Sequence, residues 1–215
     1  MQENDFIIVN YTGKVKETNK EFDKADNAPM IIKTGFVLKG LEQPLRLMKL
    51  GEKKTIEVNS ENAFGKRDFK LIKLVPLGEF RKHGTKPVPG MFVEADNRRG
   101  KVVSVSGGRV RVDFNHPLAG KTLLYNIEIK KKIETPEDKI KTLVQIYTKV
   151  DKAKLNVIIK EKQVDIDVPP MINSLFKKRI SDDIMKIMGM EKVRFIETFE
   201  KPKQETEKPK EEVKK

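Results

Sequence analysis

At Thr135 the spacing of apolar residues turns from strand-like to helical, and this change divides the chain more sharply than any single motif. Upstream lie "FIIVNYTGKV" (6–15), "KKTIEV" (53–58), "KLIKLVP" (70–76), "GKVVSVSGGRVRVDF" (100–114) and "TLLYNIEIK" (122–130). These are short β-rich runs bounded by turn residues, as sheets require. One helix interrupts them: Leu41, Leu45 and Met48 recur at i, i+4 and i+7, with Pro44 placed in the first turn, where its missing N–H does little harm. Downstream, "TPED" supplies a Thr cap, a Pro at the first helical position and acids in the first turn. Ile140, Leu143, Val144 and Tyr147 follow at helical spacing. A strand pair over 155–168, a second helix seeded by Met171, Ile172, Leu175 and Phe176, a further piece capped by Ser181 and ended by Gly189, and a strand over 192–199 complete the pattern. The fold class is α+β, with a separate C-terminal α-β-β-α-β domain over 136–200.

Residues 77–115 differ from their surroundings. "KPVPGMFVE" (86–94) is punctuated by Pro and Gly, and Gly107-Gly108 joins two alternating runs. Both central residues of the favoured hairpin turn need positive φ, so Gly-Gly there marks a hairpin. The segment reads as a small inserted β module, and the final strand of the first domain is then the "TLLYNIEIK" run that follows it.

Composition removes several function classes. There is no cysteine, which excludes disulfides, thiolate metal sites and cysteine nucleophiles. Only His83 and His116 are available, and no HExxH, GxSxG or phosphate-binding loop occurs, so no metal and no cofactor is expected. Asp165 and Asp167 read as a solvated strand face, and Asp182 and Asp183 as helix N-terminal acids. The net charge of +13 comes from lysines interleaved with acids along the whole chain, which describes a solvated surface; the Lys/Glu bias leans towards a hyperthermophile. No run reaches the length of a membrane span, and "MQENDFIIVN" lacks a signal core, so a cytoplasmic protein is expected, with no membrane partner. Residues 201–215, rich in Lys, Glu and Pro, are expected to be disordered.

What remains is a set of aromatic and aliphatic side chains at turns and strand ends. "VNYTGKV", "KEFDKA", "GFVLKGLEQPL", "LGEKKTIEV" and "NAFGK" resemble, in order and spacing, the FKBP-type peptidyl-prolyl cis/trans isomerases. The resemblance covers residues 5–75 and resumes at 116–134, where "NHPLAGKTLLYNIEI" is similar to the SlyD-like branch, whose flap carries an inserted chaperone domain. The added C-terminal part resembles that of the long archaeal members.

The resemblance implies an antiparallel sheet wrapped on a short helix, with an isomerase domain over 1–76 and 116–134, an insert-in-flap domain over 77–115, and catalysis of X–Pro rotation. Carried over by position, the implied catalytic residues are Tyr11, Phe22, Asp23, Leu38, Leu41, Phe64 and Tyr125. Met30, Ile32, Val37, His116 and Leu118 are implied to bind substrate, His116 being open to a second reading as a loop histidine bonded to backbone. Two departures stand out: Leu41 takes the place of a frequent tryptophan floor, and Phe64 that of a ligand-bonding tyrosine. Val88, Met91, Phe92 and Val93 would display apolar surface on the insert, so the implied partner is an unfolded or nascent polypeptide containing proline.

Two alternatives stay open. Arg98, Arg99, Lys101, Arg109 and Arg111 make the insert basic, which would suit an RNA- or ribosome-binding SH3-like module. Leu41 and Phe64 keep a catalytically silent binding module in view. The second C-terminal helix carries more apolar residues than one small sheet needs, so a homodimer through this domain is expected; packing on the first domain is the alternative.

Overall fold

The computed structural model describes residues 1–33, 35–95, 98–170 and 172–199. Met171 and the tail over 201–215, on which two of the expectations above fall, lie outside the described residues. The chain divides into two compact units, one over Met1–Lys132 and one from Ile133 onward.

The first unit holds two sheets. In the first sheet the strand order is β2-β1-β8-β3, built from β1 (Phe6–Val15), β2 (Glu21–Ile31), β3 (Lys53–Val58) and β8 (Leu123–Ile133), all paired antiparallel where neighbours are registered. Its apolar face, with Ile7, Val9, Ile56, Val58, Leu123, Ile127 and Ile129, packs on α1 (Lys39–Leu47), which contributes Leu41 and Leu45. Helix α1 starts at Lys39, straight after an extended Leu38, so Pro44 lies inside the helix and not in its first turn. The lost backbone bond falls in a nine-residue helix that the sheet holds by two fully anchored leucines.

The second sheet is the insert, in the order β4-β7-β6-β5: β4 (Ile72–Pro76), β5 (Phe92–Ala95), β6 (Arg98–Ser106) and β7 (Arg109–Asp113). Gly107 and Gly108 turn β6 into β7 with φ of +56° and +73°. The run over 70–76, expected in the isomerase sheet, instead pairs with β7 from Ile72↔Asp113 to Pro76↔Arg109. The expected boundary at residue 76 therefore falls inside the inserted sheet. Alternation told that a strand was present but not which sheet it joined. A short helix, α2 (Leu77–Lys82), was not expected; its Leu77 and Phe80, three apart, pack on the small core of Val102, Val110 and Val112.

The second unit runs α3 (Pro136–Thr148), β9 (Asn156–Lys160), β10 (Gln163–Val168), α4 (Ser174–Met188) and β11 (Lys192–Glu197), as the α-β-β-α-β reading expects. Thr135 caps α3 by accepting a 3.2 Å bond from the Asp138 N–H. Strand β11 runs parallel to β10, and α4 makes the crossover. Three details differ from expectation. Helix α4 is one continuous piece capped by Asn173, and Ser181 sits within it, donating to the Lys177 carbonyl. Asp182 and Asp183 are therefore mid-helix, with Asp183 accepting a 2.6 Å bond from Tyr147. Asp165 is not solvated: it is 7% exposed and paired with Arg194, its cross-strand neighbour on β11. The Arg194 guanidinium holds its carboxyl below the usual carboxylate range. Among the described residues no helix is long and apolar enough to cross a membrane.

Candidate active site

Two irregularities in the β1–β2 ladder shape the site. Gly13 pairs with Asp23 and Lys14 with Glu21, so Phe22 is an extra residue with no partner on β1. Such a bulge re-aims a side chain and frees adjacent residues from strict alternation. Here it lets Phe22 and Asp23, neighbours in sequence, both reach one cluster. Phe22 meets the Tyr125 ring edge-on at 5.7 Å, and Asp23 accepts a 2.8 Å hydrogen bond from the Tyr11 hydroxyl. Tyr11 and Asp23 are diagonal neighbours across the ladder, within reach of a long side chain. Tyr11 and Tyr125 complete the group at 6.2 Å.

Gly13 makes room for this cluster. A Cβ there would stand 2.7 Å from Phe22 Cζ and 3.1 Å from Tyr125 Cε1. Burial, then the bond to Asp23 and its charge, push the Tyr11 phenol up to about 12, so it stays protonated and donating throughout the neutral range. Burial also raises the Tyr125 phenol.

The other expected residues gather on the same core from different elements. Leu41 and Tyr125 are buried in it; Met30, Val37, Leu38, Phe64 and Leu118 are half-buried against it. Ile32 is fully buried and supports this surface from beneath, with nothing exposed to touch a substrate. His116 stacks on Phe64, with ring centroids 4.2 Å apart and planes 3° from parallel. Its Nδ1 accepts from the Leu118 N–H at 3.2 Å, so it does bond backbone, as one of its two readings holds.

Residues 64–68 and 113–120 are tied together at the neck of the insert. Arg67 pairs with Asp113; Asn115 accepts from the Asp68 N–H and donates to the Asp68 carbonyl, each at 2.8 Å; the Gly120 N–H donates to the Gly65 carbonyl. Beyond the neck a cleft of about 1090 Å³ runs from Phe22, His116 and Leu118 on the isomerase side to Phe92 on the insert. Val88 and Phe92 are half-exposed, while Met91 and Val93 turn inward against the insert core. The four are thus not displayed together.

A short-type peptidyl-prolyl cis-trans isomerase of Methanocaldococcus jannaschii is 30% identical over 145 residues, covering 60% of this chain and 92% of that protein. The chain belongs to the FKBP-type peptidyl-prolyl cis-trans isomerases. A probable FKBP-type 16 kDa isomerase of Pseudomonas fluorescens is 36% identical over 111 residues, half of this chain and 73% of that one. The FKBP-type isomerase SlyD of Aeromonas hydrophila is 35% identical over 99 residues, 45% of this chain and 47% of that one. Residues 73–118 match the family model of the FKBP26 IF domain, and residues 136–200 that of the FKBP26 C-terminal region. This FKBP-type isomerase therefore carries an inserted module and an extra C-terminal domain.

Sequence reasoning missed the neck and Gly13. The signal for Gly13 was present in "YTGKV", where a glycine interrupts a strand and marks close approach of another group. The Arg67–Asp113 and Asp68–Asn115 pairs span more than forty residues, and no local pattern announces them.

Proposed function

We propose that the surface formed by Tyr11, Phe22, Asp23, Val37, Leu38, Leu41, Phe64 and Tyr125 is the prolyl pocket, and that the insert holds an unfolded chain beside it. Rotation about an X–Pro bond moves no proton, and its barrier is amide resonance, about 18–20 kcal/mol. The planar amide is more charge-separated than the twisted one, so apolar walls disfavour the ground state relative to the transition state. Phe22, Leu41, Phe64 and Tyr125 supply those walls. The Tyr11–Asp23 pair supplies oriented polarity at their edge, and this pair at the β2 bulge is the observation that carries the reading. A million-fold acceleration needs roughly 8 kcal/mol, which packing complementarity and one or two hydrogen bonds supply together.

The insert adds the second activity. Half-exposed Val88 and Phe92, with the free edge of β5, offer apolar contact and strand addition to an unfolded chain. Tethering such a chain next to the pocket raises the local concentration of its prolines. The protein is then a cytoplasmic folding helper, whose partners are proline-containing unfolded polypeptides and a second copy of itself. The test pairs two substrates: a tetrapeptide in a protease-free isomerisation assay, and a protein whose refolding is limited by proline. Removal of the insert should spare the first and strongly slow catalysis of the second; equal losses on both would argue against a separate holding role.

A further inference from the structure

The cleft between the proposed pocket and the insert carries an excess of positive charge. Lys20 and Lys121 line it on the isomerase side, Arg99 and Lys101 on the insert, and Arg67 at the neck. Asp113 is the one carboxylate among the described residues that line it. That carboxylate is already engaged by the Arg67 guanidinium, the Asn115 N–H and the Asn115 amide, so it neutralises none of the other four cations fully. Among the described residues, no carboxylate lies within 4 Å of Lys20, Arg99, Lys101 or Lys121. The imbalance extends through the insert, where residues 73–118 hold nine Lys or Arg against four Asp or Glu.

Apolar groups stand between these cations. Phe22 and Leu118 line the cleft at one end and Phe92 at the other. On the open face of the inserted sheet a shallower hollow of about 490 Å³ continues the pattern, with Phe69, Leu74 and Val103 exposed between Arg67 and Arg111. The alternation of aliphatic and cationic side chains at strand spacing complements an extended polypeptide with acidic and apolar residues interspersed. It suits a nucleic acid less well. Within the cleft one face of the Phe92 ring is already taken by the Arg99 guanidinium, 4.3 Å above its centroid, which leaves the exposed Phe69 ring in the shallower hollow as the main stacking surface for a base.

We propose that this cleft is a charge filter, which selects prolyl segments carrying Asp or Glu within a few residues of the proline and disfavours those flanked by Lys or Arg. The proposal rests on the holding role of the insert and names the substrates that role favours. Complementary charge speeds encounter and discriminates partners, while like charges opposite each other count against the wrong one.

The experiment uses the full chain and three fifteen-residue peptides with one shared X–Pro core, flanked on both sides by Glu, Gln or Lys. Isomerisation is followed by NMR exchange at low salt and at 1 M salt. The Glu peptide should show a KM about five- to tenfold below the Gln peptide, and the Lys peptide should be poorest, with kcat similar for all. At 1 M salt, where the screening length falls to about 3 Å, the three should converge. Arg99→Gln, Lys101→Gln and Lys121→Gln combined should shrink the Glu advantage below about twofold and leave tetrapeptide turnover unchanged. Equal KM for the three peptides overturns the filter; it leaves the holding role intact if the Gln peptide still outperforms the bare tetrapeptide, and removes both if it does not. A single-stranded RNA oligonucleotide that displaces the Glu peptide at lower concentration than the peptide itself binds also overturns it.

Discussion

The rings of Phe64 and His116 lie parallel, 4.2 Å apart and within 3° in tilt, and they join the two places where the chain leaves and re-enters the isomerase domain. Phe64 stands on the outgoing segment and also packs on the isomerase core; His116 is on the returning one. The stack thus couples a wall of the proposed prolyl pocket to the neck of the insert. An aromatic pair of this kind contributes about 0.5–1.5 kcal/mol beyond area burial. His116→Ala should lower the melting temperature by a few degrees and His116→Phe should restore it, as read by circular dichroism. Phe64→Ala removes stack and wall together, and should cut tetrapeptide kcat/KM at least tenfold, about 1.4 kcal/mol or more. Full activity in folded Phe64→Ala would remove this residue from the pocket.

Gly13 gives a sharper test of pocket geometry, because its substitution adds one methyl group outside the pocket itself. That group would stand 2.7 Å from Phe22 Cζ, at the far end of a side chain on a bulge, so the ring must shift. Gly13→Ala should fold and reduce tetrapeptide turnover by about tenfold, comparable to Phe22→Ala or Tyr125→Ala, since a small misplacement of a positioning wall is costly. Unchanged turnover in a folded variant would separate Phe22 from catalysis.

The membership of β4 decides how the insert can be removed. A replacement of residues 79–113 leaves β4 without β7, its only sheet neighbour among the described residues, and exposes a free edge carrying Leu74. A replacement of residues 69–115 removes the whole sheet. The longer deletion should give the more soluble protein, measured as the monomer fraction in size-exclusion chromatography, with tetrapeptide activity kept by both.

The fold class was legible because period carries it: the alternating runs upstream of Thr135 and the capped helical repeat at Pro136 each point to one type of element. The Gly107-Gly108 hairpin was legible for the same reason, since its turn needs positive φ at both residues. Strand pairing across long separations was not. Nothing local to "KLIKLVP" distinguishes a partner at β7 from one in the first sheet, and only the register of Leu74 with Arg111 settles it. The candidate site residues were named through ordered motifs, whereas their arrangement depends on the bulge at Phe22 and on the space above Gly13, both products of tertiary packing.

Tyr11 should set an alkaline limit. Its phenol is held up to about 12, above the ordinary value near 10 that it has in the unfolded chain. A group whose folded pKa is raised contributes stability that is fully present below the unfolded value, and loses it as pH rises through the folded one. Between about pH 8 and 10, Tyr11 therefore stays protonated and kcat/KM should show no step attributable to it. Turnover should fall as pH approaches 12 and Tyr11→Phe should remove that fall, whereas the loss of stability should persist in part, because burial and the bond to Asp183 also push the Tyr147 phenol up to about 12. A threefold fall in wild-type kcat/KM already at pH 10, absent in Tyr11→Phe, would mean that the hydroxyl titrates free of Asp23.

The last prediction concerns the unit from Ile133 onward, expected to pair with a second copy. The helix face expected to be surplus is largely spent within the unit: Ile180 and Ile184 are fully buried. What stays uncovered is the N-terminal end of α4, with Leu175 56% and Phe176 38% exposed, and the outer face of the three-stranded sheet, with Ile158 45% and Ile196 41% exposed. On that face Ile158 lies beside the Asp165–Arg194 pair and Ile196 beside Asp167, so a polar centre is flanked by two apolar side chains. A unit of this size has only a small core, and symmetric pairing of one surface with itself is the commonest way soluble chains cover an open apolar face. Each face would bring its apolar pair to the other; Asp165 already has Arg194, whereas Asp167 has, among the described residues, only the Asn156 amide at 3.1 Å and would have to stay at the wet rim of the interface. Sedimentation equilibrium on the full chain at tens of micromolar should give a dimer. Ile158→Glu with Ile196→Glu should give a monomer of unchanged circular dichroism and unchanged tetrapeptide turnover, because both residues lie outside the isomerase unit. If that variant stays dimeric and Leu175→Glu with Phe176→Glu is monomeric, the helix end is the interface. A full-length chain that is monomeric throughout the range ends the pairing hypothesis.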